Sequence, residues 1–479
     1  MAITYEPVIG LEVHAQLQTK SKLFCACSTE FGKAPNANVC PVCLGLPGSL
    51  PVLNETAVEM AVRAGLALDC AIASTSIFAR KNYFYPDSPK GYQISQYEAP
   101  LCGLGHLDVP LEAGVKRIGI TRIHMEEDAG KNVHGVGADS AVDLNRAGVP
   151  LIEIVSEPDL RSSTEAAQYL RTLRDILVAI GVNDGNLEEG SFRCDANVSI
   201  RPVGQEKFGT RCELKNLNSF RFVQRAIDSE IQRQTAVLDA GGSITQETRS
   251  FDPDTSLTKT LRSKEDAHDY RYFPEPDLPP LSISAEFIGQ QRPLIGSLPA
   301  RVRARWVEEL GLTPATAQTL SQHPGYVQFF EAALKSYPDA VKLANFMQTE
   351  VLRNAKVHGL NAEFSVTPLQ VAELLSLVDS KAISGKQAKE VFVALEGSTL
   401  SPAEVVKTQG IAVISNEDEL RAVCLTVIAA YPKQREQFLG GKQAILGFFV
   451  GQVMKETKGR AEPELLSALL VRLLKAAAS

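Results

Sequence analysis

The 479-residue sequence predicts an α+β fold, in which a mainly antiparallel-sheet cradle domain (residues 1–292) precedes two helical domains (residues 293–400 and 401–479). Two observations lead to this prediction. Segments in which apolar and polar residues alternate, as they do in half-buried strands, occur in the first of these regions. The later regions show amphipathic helical patterns interrupted by glycine and proline. We therefore expect a sheet with one face covered by helices and one open, polar face.

The clearest alternation is in residues 8–17, near the N-terminus. Apolar residues occupy one face of this predicted strand, and Gly10, Glu12, His14 and Gln16 occupy the other. Side chains at i and i+2 on one face lie roughly 7 Å apart, so Glu12 and His14 are close enough to share one ion or substrate. The same alternation also fits an ordinary solvated strand face.

The composition, with 44% hydrophobic and 22% charged residues, is typical of a soluble globular protein. The sequence has no apolar run of about 18 residues and starts without a signal or transit segment, so we expect a cytoplasmic protein with no membrane-spanning part. The net charge is −7, but residues 405–479 carry +3. A mildly basic tail on an acidic body fits a nucleic-acid partner that is contacted locally.

Four of the nine cysteines form two closely spaced pairs, Cys25 with Cys27 and Cys40 with Cys43. Each pair can wrap one side of a tetrahedral zinc ion. Four thiolates leave no open coordination position, so such a site would be structural. The alternative is four reduced thiols without a metal, since disulfides are rare in cytoplasmic proteins.

Helix caps delimit the helices of the cradle domain. Asn54 is a good N-cap for the first helix. Ser162 and Glu165 form a capping box at the start of the next helix, which we expect to stop at Gly181. A further helix is predicted at residues 219–239.

Basic and aromatic residues are interleaved in residues 80–97. We identify Arg80, Lys81, Tyr83 and Tyr85 as candidate nucleotide contacts, because aromatic rings stack on bases and cations neutralise phosphates. An aromatic loop that packs on a sheet explains the same pattern.

Carboxylates recur on several predicted strands. One strand ends in Glu126, Glu127 and Asp128, and Glu153 interrupts an otherwise apolar strand. A lone carboxylate in such a strand is costly to bury unless it is paired or binds a cation. The candidates for one shared cluster are Glu12, His14, Glu127, Glu153, Asp195 and Glu213.

The clustered carboxylates indicate a bound cation, because they repel each other unless a divalent ion lies among them. Oxygen ligands with a single imidazole favour Mg²⁺ or Mn²⁺, and Mg²⁺ usually takes phosphate as a further ligand. The alternative is a solvated sheet face with Arg–Glu pairs. The sequence contains neither a P-loop nor a kinase glycine-rich loop, so ATP binding does not follow from a phosphate-loop motif.

Several long motifs resemble those of the B subunit of the bacterial aspartyl/glutamyl-tRNA amidotransferase. They are Val8–His14, Arg80–Asp87, His124–Lys131, Pro150–Asp159, Leu214–Ser219 and Asp269–Asp277. The resemblance covers essentially the whole chain. It implies a catalytic cradle domain, a helical domain and a tRNA-binding tail, in a heterotrimer whose other members are an amidase (the A subunit) and a small C subunit.

The resemblance also implies the reaction. In this family, the B subunit activates the side-chain carboxylate of misacylated Asp-tRNA(Asn) or Glu-tRNA(Gln) with ATP. Ammonia released from glutamine on the amidase then displaces phosphate and gives Asn-tRNA or Gln-tRNA. The resemblance implies Mg²⁺ ligands at His14, Glu127 and Glu153, and it matches the four cysteines to the zinc-bearing branch of the family. Glu12, Asp195 and Glu213 are further candidates on the same face.

The residues themselves supply reasons for this chemistry. A carboxylate with a solution pKa near 4 is anionic at pH 7 and needs no general base. It does need charge neutralisation to approach a γ-phosphate, and we expect Lys81, Arg193, Arg211 and Lys215 to supply it beside Mg²⁺. One competing hypothesis is a non-catalytic tRNA-binding adaptor of the same complex. A free-standing metal-dependent phosphotransferase is another.

Overall fold

The computed structural model describes residues 3–136, 139–263, 270–410, 417–457 and 460–476. The chain divides into two compact units, with the boundary between Val302 and Arg303. The first unit contains a large, mostly antiparallel sheet and the second is mainly helical, which confirms the predicted fold class. The division into three domains stays a prediction.

Strands dominate the first unit. In chain order they are β1 (Tyr5–Gln16), β2 (Thr75–Ser76), β3 (Ala79–Asn82), β4 (Tyr92–Ser95), β5 (Gly105–Leu111), β6 (Gly114–Glu127), β7 (Lys131–Val136), β8 (Asp139–Asp143), β9 (Pro150–Ser156), β10 (Phe192–Pro202), β11 (Cys212–Lys215), β12 (Glu247–Asp252), β13 (Leu257–Ser263), β14 (Phe273–Pro274) and β15 (Leu281–Ser282). The helices are α1 (Glu55–Ala67), α2 (Ser163–Ala179), α3 (Phe220–Asp239) and α4 (Ala285–Gln291), followed by a 3-10 turn at Arg292–Ile295.

An eight-stranded sheet in the order β13-β12-β11-β10-β1-β9-β6-β5 forms the centre of this unit. β1 is antiparallel to both of its neighbours, β10 and β9, and the β11–β12 pair is parallel. One face of the sheet packs on α1, α2 and α3 in a continuous apolar core. The core side chains of β1 are at most 1% exposed: Ile9, Leu11, Val13 and Ala15. Glu12 and His14 therefore lie on the opposite, open face, as the alternation predicts.

Side-chain caps begin the helices at the predicted residues. Asn54, Ser162 and Ser219 each accept a hydrogen bond from the backbone N–H three residues later, which satisfies a donor that the helix leaves unpaired. α2 ends just before Gly181, whose φ of 71° is readily adopted by glycine.

A separate three-stranded sheet, in the order β14-β3-β4, brings two distant parts of the chain together. Phe273 of β14 pairs with Arg80 of β3, and Arg80 pairs with Ile94 of β4. The 270–277 segment thus lies beside the 80–97 segment. Asp269, the first residue of the corresponding sequence motif, lies outside the described residues.

The second unit consists of short helices and one hairpin. The helices are α5 (Pro299–Glu308), which spans the boundary, α6 (Pro314–Leu320), α7 (Pro324–Leu334), α8 (Ala340–Phe346), α9 (Pro368–Asp379), α10 (Gly385–Leu395), α11 (Pro402–Gln409), α12 (Glu417–Ala430), α13 (Pro432–Leu439), α14 (Ile445–Glu456) and α15 (Pro463–Ala476). A π-helical turn at Met347–Val351 extends α8, and the hairpin pairs β16 (Lys356–His358) with β17 (Asn361–Glu363). In the described part of the chain, no helix is both long and apolar enough to cross a membrane.

Candidate active site

Three potential metal ligands meet on the open face of the eight-stranded sheet. His14 Nε2 lies 3.2 Å from Glu153 Oε2 and 4.0 Å from Glu126 Oε1, and one ligand atom of each residue lies within 4.8 Å of the other two. His14 and Glu153 are direct cross-strand partners on β1 and β9, and Glu126 is on the next strand, β6. We call these three residues the metal triad.

The spacing in the metal triad fits a divalent cation. Two ligands of an octahedral Mg²⁺ at about 2.0–2.1 Å are about 2.9 Å apart when adjacent and about 4.2 Å apart when opposite. The distances of 3.2 and 4.0 Å from His14 to the two carboxylates fall in this interval. Burial favours the neutral carboxylic acid of Glu126, but the hydrogen bond with His124 and the charge of Lys81 lower the pKa of Glu126 to about 2. Glu126 is thus ionised at neutral pH and available to a cation.

The metal triad contains Glu126 where the sequence led us to expect Glu127, and that assignment is corrected. The carboxylate of Glu127 forms an ion pair with Lys90. It also accepts a hydrogen bond from the backbone N–H of Ile94 at 2.9 Å. Glu127 therefore points away from His14 and Glu153.

A β-bulge explains the correction. The pairing of β6 with β9 shifts between Ile120 and Arg122. The fully buried residues are Ile118 and Ile120 before this point and Ile123 and Met125 after it. Without the bulge, the alternation would turn Glu127 to the open face; with the extra residue, it turns Glu126 there instead.

His124 is a further member of the site that sequence reasoning missed. Its Nε2 lies 3.7 Å from Glu126 Oε2 and 3.6 Å from Glu153 Oε2, and its Nδ1 is buried without a hydrogen-bond partner among the described residues. A proton on Nδ1 would be buried unpaired, so the tautomer with a proton on Nε2, facing the two carboxylates, is favoured. The bulge that turns Glu126 to the open face turns His124 there as well.

A second polar group lies beside the metal triad, on β1, β10 and β11. Lys215 Nζ lies 2.7 Å from Asp195 Oδ2 and 2.9 Å from Glu213 Oε1, and Glu12 is the cross-strand partner of Asp195. Burial, followed by the charges of Glu153, Glu213 and Asp195, raises the pKa of Glu12. Burial opposes the charge on Lys215, but Asp195 and Glu213 outweigh it and raise the pKa of Lys215. The structure thus brings together four of the predicted site residues: Glu12, Asp195, Glu213 and Lys215.

Lys81 faces the metal triad from the smaller sheet. Burial disfavours its ammonium, but the carboxylate of Glu126, followed by Tyr272 and Glu153, raises the pKa of Lys81. Its Nζ lies 5.1 Å from the centre of the Tyr270 ring. Lys81 therefore places a positive charge beside the metal triad.

Two predicted phosphate contacts are already engaged with carboxylates. The Arg80 guanidinium forms a two-point ion pair with buried Glu275, with N–O distances of 2.7 and 2.8 Å. Arg193 lies 2.9 Å from Asp128 Oδ2. Breaking the Arg80 pair to bind a phosphate would leave the buried Glu275 carboxylate without its guanidinium partner, so Arg80 has a structural role in this arrangement. Asp128 also accepts a hydrogen bond from Gln16 Nε2 at 2.7 Å, so Arg193 is not its sole partner.

The remaining predicted contacts lie in different places. Arg211 lines an open depression of about 660 Å³ next to the metal triad. Tyr83 packs edge-on against Tyr270 at 6.3 Å between ring centres, and Tyr85 is 60% exposed. Other residues that line the depression are Gly10, Glu12, Ser156, Asn197 and Phe208.

The four cysteines of the N-terminal loop converge, with their Sγ atoms within 4.8 Å of one another. The Cys40 and Cys43 sulfurs are 3.9 Å apart, and a tetrahedral zinc with Zn–S bonds of about 2.3 Å requires about 3.8 Å. A hydrogen bond with Cys25, above all, lowers the pKa of Cys43 to about 4. The four thiols therefore fit a structural zinc ion.

Two protein-family models match this chain. Residues 7–289 match the GatB/GatE catalytic domain, and residues 328–474 match the GatB domain. The chain belongs to the GatB/GatE family. The catalytic-domain match includes the metal triad, Lys81, the group around Lys215 and the four cysteines.

Curated relatives extend the similarity over nearly the full length. The chain is 56% identical over 476 residues to the B subunit of the aspartyl/glutamyl-tRNA(Asn/Gln) amidotransferase from Anaeromyxobacter sp. (strain Fw109-5), covering 98% of this chain and 99% of the relative. It is 55% identical over 472 residues to the protein of that name from Solidesulfovibrio magneticus, with 98% and 99% covered. The Geobacter sulfurreducens protein of that name is 52% identical over 478 residues, with 99% and 100% covered.

Proposed function

We propose that this chain is the ATP-using subunit of a tRNA-dependent amidotransferase. It activates the side-chain carboxylate of misacylated Asp-tRNA(Asn), Glu-tRNA(Gln) or both, and ammonia derived from glutamine completes the amide. The amidase (the A subunit) and the small C subunit are the proposed partners. The observation that carries the proposal is the metal triad beside Lys81. The chain also aligns over nearly its whole length with relatives that are named as the B subunit of this amidotransferase.

In the proposed first step, an oxygen of the substrate carboxylate attacks the γ-phosphorus of ATP, and the bond to the ADP oxygen breaks. Ammonia then attacks the acyl carbon and phosphate leaves. His14, Glu126 and Glu153 would hold a Mg²⁺ ion, which neutralises phosphate charge when bound. Lys81 adds a fixed positive charge on the same side, and His124 orients the two carboxylate ligands.

The size and position of the open depression suit it to bind ATP. Its volume of about 660 Å³ is within the range of about 300–1,000 Å³ typical of small-molecule sites. Glu12, which lines it, lies two residues before His14 on the same face of β1. A nucleotide in the depression can therefore reach the metal triad with its terminal phosphate.

The assay that tests this function is reconstitution of the chain with the amidase and the small C subunit. We expect ATP cleavage that requires a misacylated tRNA, and Asn-tRNA or Gln-tRNA as the product when glutamine is present. Each misacylated tRNA is tested separately. Cleavage of ATP without tRNA or partners would support a free-standing phosphotransferase, and tRNA binding without ATP cleavage would support the adaptor.

We propose that the four cysteines bind one structural zinc ion. Purified chain is expected to contain about one equivalent of zinc by elemental analysis, and the double variant Cys40→Ser/Cys43→Ser is expected to lose it, because two of the four ligands are gone. Cys70→Ser is the matched control, since Cys70 is a buried cysteine outside the cluster. Wild-type protein free of zinc, or a double variant that retains it, would contradict the assignment.

A further inference from the structure

Two tyrosine rings beside the metal triad are stacked face to face. The rings of Tyr97 and Tyr272 are parallel to within 4°, with their centres 4.2 Å apart. Tyr97 is nevertheless 53% exposed. Because Tyr272 covers one face of the Tyr97 ring, much of the exposed area belongs to its other face. We call this pair the tyrosine stack.

Direct contacts place the tyrosine stack close to the metal triad. Ser95 Oγ donates a hydrogen bond to Glu126 Oε2 at 3.1 Å, and Tyr97 follows two residues later, a span of at most about 7 Å. Tyr272 immediately precedes β14, which pairs with the strand that carries Lys81. Burial above all raises the pKa of Tyr272 to about 12; the charge of Lys81 opposes this rise, and the charges of Glu126 and Glu153 add to it.

The segment that carries Tyr97 runs alongside β6 and past the metal triad. Ser95 Oγ donates a hydrogen bond to Glu126, and Gln96 Oε1 accepts one from the Met125 N–H. The segment is therefore antiparallel to β6, and Tyr97 continues in the direction of His124, the cross-strand partner of Glu153.

The position of the tyrosine stack suits the substrate proposed above. The amino acid of an aminoacyl-tRNA is esterified to the terminal adenosine, and the distance from that base to the side-chain carboxylate is on the order of 10 Å. A base stacked close to the metal triad therefore leaves the carboxylate within reach of it.

We propose that the open face of Tyr97, supported by Tyr272, stacks on the 3′-terminal adenine of the aminoacyl-tRNA and thereby places the esterified amino acid over the metal triad. This inference rests on the proposed function and adds a subsite to it. Stacking on an aromatic ring does not depend on the rest of the tRNA sequence. Since every tRNA ends in the same adenosine, one tyrosine stack serves tRNA(Asn) and tRNA(Gln) equally.

A binding cycle tests the proposal without catalysis. Two uncharged tRNAs are used, one that ends in CCA and one that lacks the terminal adenosine. The dissociation constant of each is measured for the assembled wild-type enzyme and for the assembled double variant Tyr97→Leu/Tyr272→Leu. We expect removal of the adenosine to weaken binding to wild type by about 5- to 150-fold, the range for one stacked base. The double variant is expected to bind both tRNAs with the same affinity, close to that of wild type for the shortened tRNA.

Two single variants separate stacking from other effects. Tyr97→Phe keeps the ring and is expected to retain the wild-type difference between the two tRNAs. Tyr5→Leu removes a tyrosine elsewhere on the sheet, at the start of β1, and is expected to change nothing. An equal loss for both tRNAs in the double variant, or no effect of the terminal adenosine on wild type, overturns the proposal.

A purine could also come from ATP, so binding of a non-hydrolysable ATP analogue is measured in the same variants. We expect its affinity to be unchanged. Weaker analogue binding with unchanged tRNA binding would assign the tyrosine stack to ATP and overturn the proposal. Failure of the function itself is distinguishable, because it would appear as an absence of tRNA-dependent ATP cleavage by the wild-type assembly.

Discussion

Glu126→Gln is expected to lower tRNA-dependent ATP cleavage by about 10²- to 10³-fold, the loss typical when one preorganised electrostatic contact is removed. Glutamine has nearly the same shape, so the change removes the charge of one member of the metal triad without leaving a cavity. Release of ADP and phosphate by the reconstituted enzyme measures the effect. Mn²⁺ binding followed by electron paramagnetic resonance is expected to weaken in parallel, while tRNA binding persists.

Glu127→Gln is the matched control, one residue along the same strand. Its side chain is bound to Lys90 and to the Ile94 N–H, away from His14. Glutamine retains an acceptor for Ile94, so we expect most of the activity and the Mn²⁺ binding to remain, with some loss of thermal stability. An inactive, folded Glu127→Gln beside an active Glu126→Gln would restore the sequence-based ligand assignment and contradict the metal triad.

Glu230→Ala is expected to destabilise the first unit by about 3–5 kcal/mol, the cost of removing one partner from a buried ion pair. Glu230 is fully buried on α3. Its carboxylate lies 2.6 Å from Arg233 and 3.4 Å from Arg249 of β12, and it accepts a hydrogen bond from Thr258 of β13 at 3.2 Å. Its loss removes one of the two carboxylates that both guanidinium groups contact, the other being Glu247. Urea unfolding followed by circular dichroism measures the change.

Asp108→Ala is the control for the loss of an ion pair at the surface. Asp108 pairs with Arg117, and both side chains are substantially exposed, so we expect an effect of at most about 1 kcal/mol.

Burial raises the pKa of Glu230, but its hydrogen bonds, led by that with Arg233, lower it overall. Its contribution is therefore present above the ordinary value of 4.5 and is lost as the pH falls below it. Similar destabilisation in both variants, or none in Glu230→Ala, would contradict the structural role.

Local sequence patterns were sufficient to predict features that depend only on residues close together in the chain. The alternation of β1 predicted which face carries Glu12 and His14, and Asn54, Ser162 and Ser219 begin their helices as their capping chemistry requires. The spacing of the four cysteines predicted a cluster that the fold assembles. These features depend on contacts over a few residues, so the sequence contains the information directly.

The sequence alone determined the α+β class, the capped helices and the residues with metal-binding chemistry. The tertiary structure decided which of them act together. A single bulge in β6 selects Glu126 and His124 in place of Glu127, because an extra residue in one strand reverses the face of every residue after it. Pairing between segments almost two hundred residues apart commits Arg80 to Glu275 and brings Tyr272 to Tyr97, and no local pattern specifies a contact made across that distance.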